Sequence, residues 1–270
     1  MPELPEVQTV VNHIRPKLIS KKINSINVIW PKVLHNFTTK EADLIVKNKE
    51  IKDVFRRAKF IIIQLKKCIL AIHLRMTGKL YFHNDSIPKH STAVFDISNG
   101  QKLIFNDVRK FGRIYLFKDL SFINSRHGPE PLRNSFTNAL FKSMLESRKR
   151  NIKALLLDQS FLSGLGNIYV DESLWRTKIH PNSSSNLIPK KKVYLLRKNI
   201  RTILRNAIDK KGTTIINFSI NGQSGKYAHD LRVYGRDGKN CQRCESKIIK
   251  LKVAGRGTYI CNECQKYYRL

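Results

Sequence analysis

The chain has 270 residues, 41% of them hydrophobic, which is enough to bury two domain cores and excludes a disordered chain. It carries 51 Lys and Arg against 20 Asp and Glu, a formal net charge of +31. That excess points to a polyanionic partner, nucleic acid first, although drift toward a lysine-rich surface accounts for part of it. No apolar run approaches the length of a membrane span, and MPELPEV at the start has neither a basic nor an apolar signal region, so the expectation is a cytoplasmic, non-secreted, non-membrane protein.

In chain order, Pro5 opens a helical pattern in which Val7, Val10, Val11, Ile14 and Leu18 share one face. Glu6 suits the positive end of that helix. Seven short β-type runs follow: Ile23–Val28, Val54–Arg57, Phe60–Leu65, Ile69–Leu74, Ala93–Ile97, Lys102–Phe105 and Arg113–Phe117. Thr39–Asn48 reads as a short helix between strands. Many short strands with a helix predict a β-sandwich with flanking helices over residues 1–120. Cys68 stands alone in an apolar run and reads as core. Lys59 lies just before the run FIIIQL, Met76 sits two residues before Gly78, and Phe111 is placed between basic residues in the loop Asn106–Gly112. Basic residues interleaved with apolar wedges can enter DNA where a base has left the stack, yet taken singly Met76 and Phe111 read as core.

Residues 121–133 read as a linker stiffened by Gly128-Pro129-Glu130-Pro131. Helices are expected at Phe136–Arg148, at Ile152–Leu157, from Ile168 with Asn167 as cap, and at Lys190–Lys211. Gly164 and Gly166 permit a tight turn before Asn167, and free N–H groups at that helix start suit a phosphate. Thr213–Tyr227 is polar and glycine-bearing and reads as a loop. Near the end, Cys241-Gln-Arg-Cys244 and Cys261-Asn-Glu-Cys264 have the spacing of one structural Zn²⁺ site. Two disulfides would use the same cysteines, but a fifth cysteine and the absence of an export signal favour the metal. Between the pairs a β-hairpin is expected, turning over Gly255-Arg256-Gly257 with Arg256 at its tip.

Several separated motifs together carry a resemblance: PELPEV at 2–7, RRAKF at 56–60, HLRMTG at 73–78, VRKFG at 108–112, GPEPL at 128–132, IKALLLDQ at 152–159, GLGNIYVDE at 164–172 and VYGRDG at 233–238, with GRGT inside the zinc ribbon. In this order they resemble the formamidopyrimidine-DNA glycosylase family, bifunctional repair enzymes that remove oxidised purines. The resemblance implies an α+β multidomain chain: the N-terminal β-sandwich (1–120), the linker (121–133), a helix-two-turn-helix DNA-binding domain with a lesion-capping loop (134–230) and a zinc finger (231–270). It implies a nucleoid-associated monomer acting on damaged double-stranded DNA.

It further implies that Pro2, once Met1 is removed, attacks the sugar C1′ through its secondary amine, with Glu3 moving protons. Lys59 would hold phosphate and assist β-elimination, and Arg256 would bind phosphate and assist δ-elimination. Met76, Arg109 and Phe111 would fill the gap left by the flipped nucleotide. Asn167 would contact phosphate, and His90, Lys149 and Lys153 would be further DNA contacts. The endonuclease VIII branch, which prefers oxidised pyrimidines, is the neighbouring reading; Leu4 and the Met76/Phe111 pattern favour the purine branch. Arg75 departs from the pattern, since glycine is common at that position.

Overall fold

A computed structural model of the chain describes residues 1–213, 219–220 and 223–269. It divides into two compact units, each discontinuous in sequence: Met1–Ser125 with Lys210–Lys226, and Arg126–Asp209 with Tyr227–Leu270.

The first unit starts with helix α1 (Leu4–Leu18), whose apolar face of Val7, Val10, Val11, Ile14 and Leu18 is fully buried. Strands β1 (Lys22–Val28), β2 (Lys49–Glu50), β6 (Lys79–Phe82), β7 (Ser91–Ile97) and β8 (Lys102–Asn106) form a five-stranded antiparallel sheet in the order β2-β1-β7-β8-β6. Strands β3 (Asp53–Arg57), β4 (Phe60–Gln64), β5 (Ile69–His73) and β9 (Arg113–Phe117) form a four-stranded antiparallel sheet in chain order. Helix α2 (Thr39–Ile45) sits between β1 and β2 in sequence, its start capped by the Thr38 hydroxyl, which accepts from the Glu41 N–H.

The continuous apolar run in β4 follows from burial on both faces. Ile61 and Ile63 join Leu70, Ile72, Phe95, Phe105 and the α1 face in the main core, while Ile62 points the other way with Ala71, Tyr115 and Ile123. Ile123 belongs to α3 (Ser121–Arg126), a helix inside the stretch expected as linker; Asp119 starts it by accepting the Ser121 N–H at 2.7 Å. Strands β2 and β6 are also additional to the seven expected. Two-residue strands β10 (Ser219–Ile220) and β11 (Gln223–Ser224) pair antiparallel within Lys210–Lys226. Residues 214–218 and 221–222 of the expected capping loop lie outside the described residues.

The second unit holds helices α4 (Asn138–Glu146), α5 (Ile152–Leu157), α6 (Asn167–Thr177) and α7 (Lys190–Asp209). Val193, Leu196, Ile200, Ile203, Leu204 and Ala207 form the buried stripe of α7, against which α4 and α6 pack. The turns between α5 and α6 are fixed by Gln159, whose Oε1 accepts the Gly164 N–H at 2.9 Å and whose Nε2 donates to Leu165 at 2.8 Å. Gly128 packs on the same turns: a Cβ there would lie 2.4 Å from the Phe161 carbonyl oxygen. Strands β12 (Ile249–Val253) and β13 (Arg256–Ile260) make the C-terminal hairpin. The fold is therefore the expected α+β arrangement of β-sheets, helix-two-turn-helix region and four-cysteine hairpin.

Candidate functional site

In the first unit, Pro2 is buried and Glu3 is the N-cap of α1. The Glu3 N–H donates to Glu6 Oε2 at 2.9 Å. The other Glu6 oxygen accepts the Thr213 N–H at 2.8 Å and its hydroxyl at 3.0 Å. One buried carboxylate thus fixes the peptide that follows Pro2 and ties it to Thr213. Gly212 (φ 79) makes the approach possible, because a Cβ there would stand 2.8 Å from Glu6 Oε1. Sequence reasoning assigned Glu6 only to the helix dipole. The acidic residue three positions after a helix cap was the available signal.

Lys59 follows the β3–β4 turn, where Ala58 takes φ 52, and is buried. Arg56 braces that turn by donating to the Ala58 carbonyl at 2.8 Å and to Gln8 of α1 at 3.1 Å. Pro2, Glu3 and Lys59 are all placed by α1 and the hairpin it packs on.

Met76, Arg109 and Phe111 stand on loops and are exposed, as is His90. Solvent exposure of these two large apolar side chains decides against the core reading. The Arg109 guanidinium lies over the Phe111 ring, 4.6 Å from its centroid. Arg75 takes φ 55, a region that glycine enters without strain.

In the second unit the hairpin turns through Ala254 (φ 48) and Gly255 (φ 74), so Arg256 is the first strand residue rather than the turn centre, and it is exposed. Asn167 is the first residue of α6, with Gly166 as N-cap, and its Nδ2 donates to the carbonyl of Gly257 at 2.8 Å. The structure thereby joins Asn167 to the strand that carries Arg256. Lys149 is exposed in the turn after α4.

Lys153 is different from the expected DNA contact. It is fully buried, and its Nζ donates to Asp171 Oδ1 at 2.6 Å and to the Thr258 hydroxyl at 2.7 Å. Asp171 Oδ2 accepts the Tyr259 N–H at 3.0 Å. Burial pushes the Asp171 carboxyl up to about 6, against the pull of the Lys153 ammonium. The lysine charge is drawn inward by this carboxylate and locks α5 and α6 to β13. The neighbouring Glu172 accepts the N–H groups of Arg232, Val233 and Tyr234 at 3.0, 2.9 and 2.9 Å, holding the start of the finger on α6.

The sulfur ligand atoms of Cys241, Cys244, Cys261 and Cys264 lie within 4.8 Å of one another. Cys244 and Cys261 are 3.4 Å apart, and Cys241 and Cys264 are 3.8 Å apart. A zinc tetrahedron with Zn–S near 2.3 Å places sulfurs about 3.8 Å apart, so the donor set fits one ion. Hydrogen bonding, led by Ser246, draws the Cys244 thiol down to about 6, while burial pushes the Cys261 and Cys264 thiols up. The Arg243 guanidinium stacks 3.8 Å from the Trp175 ring centroid and donates to the Trp175 carbonyl at 2.7 Å, so the first knuckle is seated on α6. Bound zinc supplies rigidity, closing the two knuckles on one point. Cys244→Ser is expected to drop bound zinc from one per chain to near zero; full zinc content by metal analysis would refute the assignment.

The formamidopyrimidine-DNA glycosylase N-terminal domain matches residues 1–114, and the H2TH domain of the same proteins matches 127–219. Residues 238–266 match the zinc finger found in FPG and IleRS. A formamidopyrimidine-DNA glycosylase of Protochlamydia amoebophila is 43% identical, covering 98% of this chain and 100% of that protein. One from Pelotomaculum thermopropionicum is 42% identical, with 98% and 99% covered. Among solved structures, wild-type Lactococcus lactis Fpg (MutM) in complex with N7-benzyl-Fapy-dG DNA is similar with a TM-score of 0.91 at 38% identity, over 98% of this chain and 100% of that one. The Lactococcus lactis Fpg complex with abasic-site DNA gives 0.91 at 37%, over 98% and 99%. With the matches spanning both units and the zinc hairpin, the chain belongs to the formamidopyrimidine-DNA glycosylase family.

Proposed function

We propose that this protein is a bifunctional DNA glycosylase and AP lyase of base excision repair, acting on oxidised purines such as 8-oxoguanine and formamidopyrimidines in duplex DNA. The observation that carries the reading is the N-terminus: Pro2 and Glu3 are buried at the head of α1 and held by Glu6, an arrangement an ordinary chain terminus does not need.

Removal of Met1 frees the secondary amine of Pro2. A free α-amino group has a pKa of about 7.7–8.0, so a useful fraction is neutral near pH 7. That amine attacks C1′ of the flipped nucleotide. The C1′–N bond to the base breaks, and the base departs with a proton delivered by Glu3. The proline nitrogen then gives up its proton, which Glu3 passes to O4′ as the C1′–O4′ bond breaks, leaving a charged iminium between Pro2 and the opened sugar. Loss of a C2′ proton then expels the 3′ phosphate, and a second elimination expels the 5′ phosphate. Water hydrolyses the iminium and releases the enzyme.

Lys59 supports the first elimination and Arg256 the second, each by binding phosphate. Asn167 and Lys149 hold the backbone, with His90 as a further contact. Met76, Arg109 and Phe111 fill the space left by the extruded nucleotide, offsetting an unstacking cost of a few kcal/mol. The net charge of +31 supports a polyanionic partner of this kind.

Borohydride trapping tests the proposal. Met1-processed protein is mixed with duplex DNA carrying one 8-oxoguanine opposite cytosine, reduced, digested and sequenced by mass spectrometry. The expected result is a cross-link on Pro2 together with strand cleavage. A cross-link with an oxidised pyrimidine alone would transfer the protein to the endonuclease VIII branch, and tight binding with no cross-link would leave a non-catalytic damage binder.

A further inference from the structure

Asp107 lies at the end of β8, is fully buried, and has no place in the chemistry above. Its Oδ1 accepts the Thr77 hydroxyl and the Arg109 N–H, the latter at 3.2 Å. Its Oδ2 accepts the Gly112 N–H at 2.7 Å. Its own N–H donates to the His90 carbonyl at 3.0 Å, and its carbonyl accepts the Lys110 N–H at 3.1 Å. Every polar atom of this residue is therefore engaged, and the partners lie on three different loops. These are the loops that present Met76, His90, and Arg109 with Phe111.

Each of the three loops also contains a non-glycine residue in the left-handed region: Arg75 (φ 55), His90 (φ 69) and Lys110 (φ 56). Such residues persist only where the surroundings over-determine them. Asp107 supplies that determination at its core. Gly112 lets the carboxylate close on the backbone, since a Cβ there would lie 3.1 Å from Asp107 Oδ2 and 2.5 Å from the Phe105 ring. Above this fixed base, Met76, Val108 and Phe111 are 43%, 59% and 48% exposed. The backbone is held while the apolar tips are free, which is the arrangement an inserting wedge requires.

We propose that Asp107, acting with Thr77, is a positioning residue that presets the Met76, Arg109 and Phe111 wedge before DNA arrives. Insertion then does not have to order three loops at the same moment as it unstacks a base. The inference rests on the reading of those three residues as the wedge.

The test compares two substrates in single-turnover kinetics on zinc-loaded, Met1-processed protein: a duplex with 8-oxoguanine, whose base must be extracted, and a duplex with a preformed abasic site, which has no base to unstack. Asp107→Asn and Thr77→Val are expected to lower lesion excision on the order of tenfold, the size expected for losing a hydrogen bond to a charged group. Abasic-site cleavage is expected to stay within about twofold, because no base extraction is required there. Thr77→Ser, which keeps the hydroxyl, is expected to behave as wild type. Thr77→Val removes the hydroxyl's bond to Asp107 and the 3.3 Å bond it accepts from the Arg109 N–H, and covers the case in which Asp107→Asn does not fold. Equal losses on both substrates, or unchanged excision in folded variants, would overturn the proposal. Met76→Ala run alongside separates the two levels: if it leaves excision intact, the wedge reading itself fails.

Discussion

Lys153→Met is expected to destabilise the protein by about 3–5 kcal/mol, the range for removing one partner of a buried ion pair. The side chains of Lys153 and Asp171 are both inaccessible to solvent, so methionine would leave the Asp171 carboxylate buried without its cation. The Thr258 hydroxyl would lose its donor from the same ammonium. Burial already raises the folded pKa of Asp171 from its ordinary value to about 6, and loss of Lys153 raises it further. The sign follows from linkage. A carboxyl with a raised folded pKa binds more protons folded than unfolded, so the folded state is favoured as pH falls. The deficit of the variant relative to wild type should be largest at alkaline pH, shrink as pH falls toward about 6, and level off below it, where both carboxyls are protonated. Urea denaturation at several pH values measures it. The double variant Lys153→Met with Asp171→Asn removes both charges, keeps an acceptor for the Tyr259 N–H, and should recover most of the loss. An unchanged urea midpoint in the single variant would mean that the pair contributes nothing.

Retention of Met1 is expected to cost at least about a thousandfold in base excision, since an acylated proline nitrogen has no lone pair to offer C1′. Affinity for lesion DNA should change by only a few-fold, because phosphate contacts supply most of the binding. The comparison needs two samples whose N-termini are verified by intact mass, assayed at the same concentration under single-turnover conditions. Normal excision in a sample that keeps Met1 would refute the nucleophile. Pro2→Gly is the informative companion: it leaves a primary amine in place of a secondary one, and excision should be slowed severely.

The parts of the molecule readable in sequence are those whose cause is local. The α1 face repeats at helical spacing, Ile152–Leu157 is helical as expected, and two CxxC pairs carry their geometry in their spacing. Strand β2, at two residues, is too short to show a pattern. The remainder depends on partners distant in the chain. Nothing around Lys153 reveals that its acceptors stand 18 and 105 residues away, and only the resemblance set it among the DNA contacts. Asp107 looks like an ordinary loop acid beside Asn106, and its importance lies in tertiary hydrogen bonds from Thr77 and Gly112. Glu6 has one partner within the helix start and another 207 residues on.

That last distance has a consequence for synthesis. The Glu6 carboxylate is made among the first residues, but its partner Thr213 follows 207 residues later. At translation rates of about 5–20 residues per second, the wait is on the order of 10–40 s. During that interval Glu6 lacks the two hydrogen bonds it accepts from Thr213, and the strands around α1 lack the returning segment. The chain enters each unit twice, so neither can be cut out as one contiguous fragment or moved by a single insertion into another gene. The unit begun first therefore gains its last segment, Lys210–Lys226, only after most of the other has been made.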